Sequence, residues 1–567
     1  MKKCPQCGRE YDNSMMFCLD DGAELLYGPA SLDEPATAIF HSTETPAEAA
    51  THAQIHMTEQ TAVLLSGIGE AKKTFYKRLI FAPLALVIII LGGFFGYKYF
   101  SSTNSKQIES IAVMPFVNES GNADLEYLSD GLTETLIGNL TRLPNLNVKA
   151  RSSVFRYKGK DTDAKTIGKE LNVQAILNGH FAQRGDQLTL SLELVDAQTE
   201  NAIWAQQYTR KQSEIVSLQS EIAKELSTTL RAKLSGADQA KVTRTATSDP
   251  EAYQAYLKGR FYWNQRGQGP GKLEAAIEQF KAAAATDPNY ALAYAGLADC
   301  YALMPQETGA SPSEVLPRAK AFADRALEID ESMAEVHATL GLINESLWQW
   351  SDAQKEFERS IELNPTYATA HQWYSLLLGN TGRRDERMAE IKKAYELDPL
   401  SAAISLNVGL SYLDRGDHLR AVDQINKTIE ISPNFFVAHA GLTAAYLKLG
   451  KSNEALLEAQ KSVELSKRHA YALRALSHAL AASGDRNGAL EIIRELEQNS
   501  INGKSDKYFI ATAYAGIGEK DQAFAWLEKS FQEHNYFLTN AGTDPFAESL
   551  RDDPRYKDIL RRMGLPE

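Results

Sequence analysis

The carboxy-terminal half of the chain repeats itself every 34 residues, and this period constrains the fold more than any other feature. Five polar residues share the period: Asp330, Asn364, Asp398, Ser432 and Ser466. Proline directly follows three of them, at Pro365, Pro399 and Pro433. Helical units of this length cannot bury their apolar faces alone, so they stack and leave an extended concave surface. The period therefore predicts an all-α solenoid that binds proteins or peptides.

Small residues recur at the same period. Glycines fall at the turn expected between paired helices, at Gly382, Gly416, Gly450 and Gly484. Alanines fall near the start of second helices, at Ala421, Ala455, Ala489 and Ala523. Over residues 250–536 this pattern resembles about eight tetratricopeptide repeats, and residues 537–567 resemble the cap that often ends such arrays. The resemblance implies a protein-interaction array.

One interval in the array is longer than the rest. Asp287 precedes Asp330 by 43 residues, nine more than the period. The extra residues fit the loop MPQETGASPS, from Met304 to Ser313, which includes Pro305 and Pro312.

First helices of such units line the concave face, so we expect their polar side chains to contact a partner. Seven candidates share equivalent or neighbouring positions: Tyr294, His337, Asn344, His371, Asn407, His439 and Arg474. The histidines also allow a metal site. Because they lie in separate units, we favour a partner groove.

The uncharged apolar run from Leu79 to Gly96 predicts a membrane helix, with bounds at residues 79–100. At 1.5 Å rise per residue, about 20 residues cross the hydrocarbon core. The alternatives, a buried core helix or a cleaved signal peptide, fit less well, because the run has polar flanks and begins far from Met1.

Flanking charge predicts the orientation of this span. Lys72, Lys73, Lys77 and Arg78 precede the uncharged run, whereas Lys98 and Lys106 follow it. Positive charge favours the cytoplasmic side. We therefore expect a single-pass protein of the inner or plasma membrane, with a cytoplasmic amino terminus and with residues after 100 extracytoplasmic (periplasmic).

Residues 1–26 carry metal-ligand spacing. Cys4 and Cys7 form a Cys-x-x-Cys-Gly knuckle, and Cys18 opens a second knuckle in which Asp21 stands where a fourth cysteine is usual. The segment resembles a short zinc ribbon, which implies one structural zinc ion held by Cys4, Cys7, Cys18 and Asp21. Asp20, water or His41 are alternative fourth ligands, and a degenerate, metal-free ribbon is also possible. Residues 27–71 are polar and aperiodic, which predicts a disordered linker.

Residues 108–235 alternate strand and helix patterns, which predicts an α/β domain with a sheet of about four or five strands. Strands are expected at 110–116, 146–150, 174–183, 187–195 and 203–208, and helices at 126–143, 165–171 and 213–234. The stretches IAVMPFVNESGNADLEYLSDGL and IGKELNVQAILNGHFAQRGDQLTLSLELVDAQTENAIWAQQYTR resemble the TolB amino-terminal-like (FlgO-like) family. That resemblance implies an extracytoplasmic assembly or sensing module.

A ligand site is one interpretation of the polar residues after the first strand of this domain, Asn118, Ser120, Asp130 and Arg151. They lack a phosphate-loop pattern. A turn with a helix cap explains them better, because Asn, Ser and Asp are good caps.

Charge and motif content restrict the function. The formal net charge is −13, which argues against nucleic acid as the main partner. No glycine-rich loop or catalytic triad is evident, so we expect no enzyme and no small-molecule substrate. The leading hypothesis is a membrane-anchored interaction scaffold that binds envelope proteins or peptides. The alternative is a transmembrane signalling or regulatory protein whose zinc ribbon docks a cytoplasmic partner.

Overall fold

The computed structural model describes residues 2–4, 10–11, 108–141, 143, 146–230, 246–266, 271–501 and 506–566. At the amino terminus, β1 (Lys2–Lys3) pairs antiparallel with β2 (Glu10–Tyr11). Cys4 follows β1 directly and is buried. The other predicted zinc ligands, Cys7, Cys18 and Asp21, lie outside the described residues. Among the described ranges, no group of three metal-ligating side chains is found.

The predicted linker (27–71) and membrane span (79–100) also lie outside the described residues. In the part of the chain that the structure describes, no helix is both long and apolar enough to cross a membrane. The membrane helix and its orientation remain predictions.

Residues 108–230 contain an α/β domain built on a mixed sheet of six strands. They are β3 (Ser110–Val113), β4 (Val117–Asn118), β5 (Asn147–Val148), β6 (Ala175–Arg184), β7 (Gln187–Asp196) and β8 (Ala202–Lys211). The order is β5-β3-β6-β7-β8, with β4 also paired to β6. β3 runs parallel to β5 and β6, whereas β6, β7 and β8 form an antiparallel meander. Gly185, with φ +63°, makes the predicted turn between β6 and β7.

Four helices accompany the sheet. They are α1 (Glu126–Thr141), α2 (Arg151–Phe155), α3 (Ala164–Leu171) and α4 (Ile215–Thr229). α1 packs against α4 and β5, and α4 packs against β8. Their buried leucines, including Leu128 and Leu140 of α1 and Leu226 of α4, recur at helical spacing and supply the domain core. The predicted mixed-sheet domain is confirmed.

In the described part of the chain, sixteen further helices follow and pack as eight consecutive pairs. They are α5 (Pro250–Asn264), α6 (Lys272–Thr286), α7 (Ala291–Thr308), α8 (Pro312–Ile329), α9 (Ala334–Ser346), α10 (Trp350–Leu363), α11 (Ala368–Asn380), α12 (Arg384–Leu397), α13 (Ala402–Asp414), α14 (His418–Ile431), α15 (Phe436–Lys448), α16 (Ser452–Leu465), α17 (Ala470–Ala482), α18 (Arg486–Ile501), α19 (Lys507–Gly516) and α20 (Lys520–Gln532). This confirms the predicted solenoid.

Glycine explains how the helices pair. Gly416 and Gly450, with φ +78° and +70°, occupy the tight turns where a side chain would strain the backbone. A different glycine lets the paired helices approach each other: a Cβ at Gly341 would lie 2.6 Å from the Phe357 ring. Ala353 and Phe357 are fully buried at that contact. The periodic small residues are therefore packing and turn positions.

The predicted loop from Pro305 to Pro312 is wrong. Helix α7 continues through Pro305 to Thr308, and α8 begins at Pro312, so the connection is short. Proline in a helix loses one backbone hydrogen bond. Here Pro305 is buried, and the extra turn of the second helix buries Pro312 and Val315. The apolar surface that they remove from water compensates for the lost bond.

The chain ends in a segment that does not form a helix pair, residues 536–566, called the C-terminal segment below. It contains two 3₁₀ turns, Tyr536–Asn540 and Pro545–Leu550, and helix α21 (Pro554–Arg562). Leu538, Leu550 and Tyr556 are fully buried. The segment is therefore part of the folded array.

Candidate functional site

The three predicted histidines bind carboxylates of their own repeats. Nδ1 of His337 lies 2.7 Å from Glu356, that of His371 2.6 Å from Glu390, and that of His439 2.7 Å from Glu458. Each pair joins the first helix of a unit to the second. His371 and His439 are buried, and their Nε2 atoms lie 3.0 and 3.2 Å from the carbonyl oxygens of Pro365 and Pro433. Each of these histidines therefore joins the two helices of its own repeat.

The same position in the intervening unit carries an uncharged pair. Gln424 donates a hydrogen bond to Ser405 Oγ at 3.0 Å. Because Ser405 replaces the histidine and Gln424 the glutamate, the position serves helix pairing rather than a metal column. The Glu458 hydrogen bond raises the pKa of His439 above its ordinary value.

Three other predicted contact residues are buried or half-buried. Tyr294 is buried, with its ring centroid 6.4 Å from that of Phe322. Asn344 is buried near the end of α9, and Asn407 is half-buried in α13. In this structure these side chains do not form one open surface.

Arg474 of α17 occupies a pocket that the C-terminal segment completes. Its Nη1 donates a hydrogen bond to Asp544 Oδ2 at 2.5 Å. Its guanidinium carbon lies 4.6, 4.8 and 4.7 Å from the ring centroids of Tyr471, Phe509 and Phe546. Burial alone would lower the pKa of Arg474, but Asp544 holds it above its ordinary value. The pocket therefore holds a permanent cation between aromatic rings.

The C-terminal segment also contacts earlier units. Thr543 donates a hydrogen bond to Asn380 Oδ1 of α11 at 3.0 Å. Trp350 Nε1 donates to the carbonyl of Met563 at 2.6 Å. Lys448 of α15 forms an ion pair with Glu548. The segment thus connects units that are far apart in sequence.

A half-buried network joins the α/β domain to the first helix of the array. Glu134 of α1 accepts hydrogen bonds from Arg260 Nε and Asn264 Nδ2 of α5, both at 2.7 Å. Burial alone would raise the pKa of Glu134, but Arg260 and Arg151 hold it below its ordinary value. A Cβ at Gly131 would lie 2.8 Å from Leu257, so α1 and α5 pack closely.

A second contact lies further along the array. The hydroxyls of Ser152 and Ser153, in α2, donate to the buried carboxylate of Asp398 at the end of α12. The α/β domain therefore contacts both the first and the fourth helix pairs.

The polar residues after β3 have local partners. Ser120 N donates to Asn118 Oδ1 at 3.1 Å, and Asn118 Nδ2 donates to Glu126 at 3.1 Å. Asp130 pairs with Lys158, and Arg151 lies 3.3 Å from Glu134. These contacts form a turn, a cap and ion pairs.

An open cleft of about 1320 Å³ lies between the α/β domain and the turns that flank α9 and α10. Its lining includes the carboxylates of Glu109, Asp330 and Glu335 and the amides of Asn147 and Asn364. The lining residues that the structure describes carry acidic side chains and no lysine or arginine.

The sequence spacing predicts some of these pairs. Each histidine precedes its glutamate by 19 residues, as Ser405 precedes Gln424. This spacing links equivalent positions of paired helices. The contact between Arg474 and Asp544 spans 70 residues and has no such signal.

The helix pairs, their spacing and their turn glycines form a solenoid similar to tetratricopeptide repeat arrays. A family model for the tetratricopeptide repeat matches residues 368–399, which contain α11 and α12. Residues 106–225 match the second domain of HilA/YgeH-like transcriptional regulators, which corresponds to the α/β domain.

Similar proteins cover parts of the chain. A Rhizobium meliloti protein named "Putative adenylate cyclase 3" is 32% identical over 248 residues, which are 41% of this chain and 40% of that protein. A solved tetratricopeptide repeat protein from Parabacteroides merdae is 17% identical, with a TM-score of 0.35, and the match covers 47% of this chain and 99% of that one. PilF of Pseudomonas aeruginosa is 20% identical, with a TM-score of 0.30, and the match covers 36% of this chain and 92% of that one.

Proposed function

We propose that this protein is a membrane-anchored scaffold whose repeat array binds protein or peptide partners of the cell envelope. The observation that carries the proposal is the run of eight stacked helix pairs, α5 to α20. Arrays of this class present an extended surface, and each unit adds contacts without the need for a catalytic centre. The apolar run at 79–100 and its flanking charges support the anchor and an extracytoplasmic array.

The docking of the α/β domain supports a role for both parts together. Glu134 of the domain binds Arg260 of the first helix pair, and Ser153 of the domain binds Asp398 of the fourth. The domain therefore contacts two separated units of the array. A partner that alters the array would therefore act on the α/β domain as well. This arrangement suits an assembly or sensing module next to a membrane.

The zinc ribbon is part of the proposal. Cys4 is buried directly after β1, the first of two paired strands, which supports a knuckle at this position. Zinc held by Cys4, Cys7, Cys18 and Asp21 would supply folding energy to a segment with almost no core.

Co-purification from membranes tests the scaffold. Partners that are cross-linked to the full chain should be lost from a variant that lacks residues 250–566. The matched control lacks residues 1–26 and should retain them. An unchanged partner set after removal of the array would contradict the proposal.

Signal transduction is the second candidate, and the match to a regulator domain at residues 106–225 favours it. In that case, removal of residues 1–26 should abolish a cellular response while partner binding outside persists. A passive scaffold would show little change. Cyclase activity is not part of either proposal, because most of the relative of that name lies outside the match.

A further inference from the structure

The two 3₁₀ turns of the C-terminal segment lie against first helices, where an array of this class would receive a peptide. Within the described residues it contacts Asn380 of α11, Lys448 of α15 and Arg474 of α17. A chain that only needed an end cap could cover its last pair alone. Here the segment reaches back across several units.

The contact at Arg474 has the chemistry of a recognition pocket. Arg474 is 2% exposed, and Asp544 supplies its carboxylate. Two residues later, Phe546 adds a ring to the two that α17 and α19 contribute, Tyr471 and Phe509. Buried arginine and aromatic side chains are the groups that dominate binding energy at protein interfaces.

The resident segment leaves this pocket incompletely satisfied. Arginine prefers two parallel hydrogen bonds to a carboxylate. Nη1 of Arg474 has Asp544, but its buried Nε has no hydrogen-bond partner among the described residues. A ligand with a better placed carboxylate could engage both atoms.

We propose that the Arg474 pocket recognises an acidic–aromatic peptide segment of a partner protein, and that the chain's own Asp544-Pro545-Phe546 occupies the pocket until such a segment displaces it. This inference rests on the proposed function of the array. The partner should carry a carboxylate two residues before an aromatic ring. A cationic segment would be repelled, and a segment without a ring would leave Tyr471 and Phe509 uncovered.

The test uses the full chain in detergent and a fluorescent peptide of residues 540–552. The variant Asp544→Ala/Phe546→Ala weakens the resident occupant, so it should bind the peptide at least tenfold more tightly than the wild type. The control variant Asp558→Ala/Arg561→Ala changes exposed residues of the same segment. It should behave like the wild type.

Two further comparisons test the specificity of the Arg474 pocket. Adding Arg474→Lys to the loosened variant should weaken binding at least tenfold, because lysine lacks the planar guanidinium that lies among the three rings while it donates to the carboxylate. A peptide with alanine in place of Asp544 and Phe546 should not bind. Equal binding of both peptides, or full competition by inorganic phosphate, would overturn the inference.

Hydrogen exchange shows whether the segment moves. In the loosened variant, amides of residues 536–553 should exchange at least tenfold faster than in the wild type, and added peptide should slow the exchange of α17. Unchanged exchange with no peptide binding would overturn the inference. If the array-dependent partner set of the scaffold experiment persists in that case, the proposed function still stands.

Discussion

At the residue scale, one repeat position shows how different side chains solve the same packing problem. His371 with Glu390 and Ser405 with Gln424 both tie a first helix to its second helix. The first pair can carry charge and the second cannot. The repeat therefore conserves the contact geometry while the chemistry varies, which makes a direct comparison possible.

His439→Gln should destabilise the chain by about 1–2 kcal/mol at pH 5.5, because it removes a charge-assisted hydrogen bond to Glu458. Glu458 raises the pKa of His439, so the stabilisation is fully present below the unfolded-state value near 6.5 and is lost as pH rises through the folded-state value. Urea unfolding at pH 5.5 and 8.5 measures this. Ser405→Ala is the control, and its effect should be equal at both pH values. A pH-independent effect of His439→Gln would contradict the assignment.

Glu345→Gln should stabilise the chain at alkaline pH. Burial raises the pKa of Glu345 from 4.5 to about 7, and Asn380 Nδ2 donates to it at 3.0 Å. Because the folded-state pKa lies above the unfolded one, stability falls as pH rises from about 4.5 to 7. Removing the charge should add up to about 3 kcal/mol at pH 8.5 and little at pH 5. Thermal unfolding at both pH values tests this, and a larger gain at pH 5 would refute it.

At the element scale, glycine has two separable roles. Gly450, with φ +70°, has open space around its Cα, so a substitution there tests backbone strain alone. Gly138, in α1, also has open space but lies within a helix. The pair separates the strain of a left-handed turn from helix propensity.

Gly450→Ala should destabilise the array by about 1 kcal/mol, because alanine disfavours the left-handed conformation. Gly138→Ala should stabilise the α/β domain by roughly 0.5–1 kcal/mol, because alanine is the better helix former. Circular dichroism during urea unfolding measures both changes. Effects of the same sign would contradict this account of the turns.

The local residue pattern predicted most helices and strands. It failed where contacts between residues distant in sequence determine the structure. The β6–β7 hairpin and the paired helices follow from period and turn residues. Helix α2 and the helical path through Pro305 were missed, because tertiary packing overrides local preference there. Arg474 was identified as a candidate, but its partner Asp544 lies 70 residues away, and periodicity carries no information about that distance.

At the scale of the whole molecule, the α/β domain and the array share buried contacts. Glu134 lies between Arg260 and Arg151, and Asp398 accepts hydrogen bonds from Ser152 and Ser153. The hydrophobic core also continues from the α/β domain into the first helix pairs. These contacts predict cooperative unfolding of the two parts.

Glu134→Ala should cost about 2 kcal/mol, because it leaves the half-buried Arg260 without its main partner. The variant should unfold in two calorimetric transitions, whereas the wild type should show one. Glu119→Ala, at an exposed ion pair with His180, is the control and should change little. A single unchanged transition in the Glu134 variant would contradict the proposed coupling.

The central claim is that partners bind where the C-terminal segment now lies, and a reversible lock tests it most directly. Thr543 Oγ1 and Asn380 Oδ1 are 3.0 Å apart, so Thr543→Cys with Asn380→Cys should form a disulfide that holds the segment on α11. The oxidised protein should lose at least nine-tenths of its array-dependent partner binding, and reduction should restore it, while either single variant should be insensitive to oxidant. Equal partner binding by the oxidised and reduced double variant would contradict the claim.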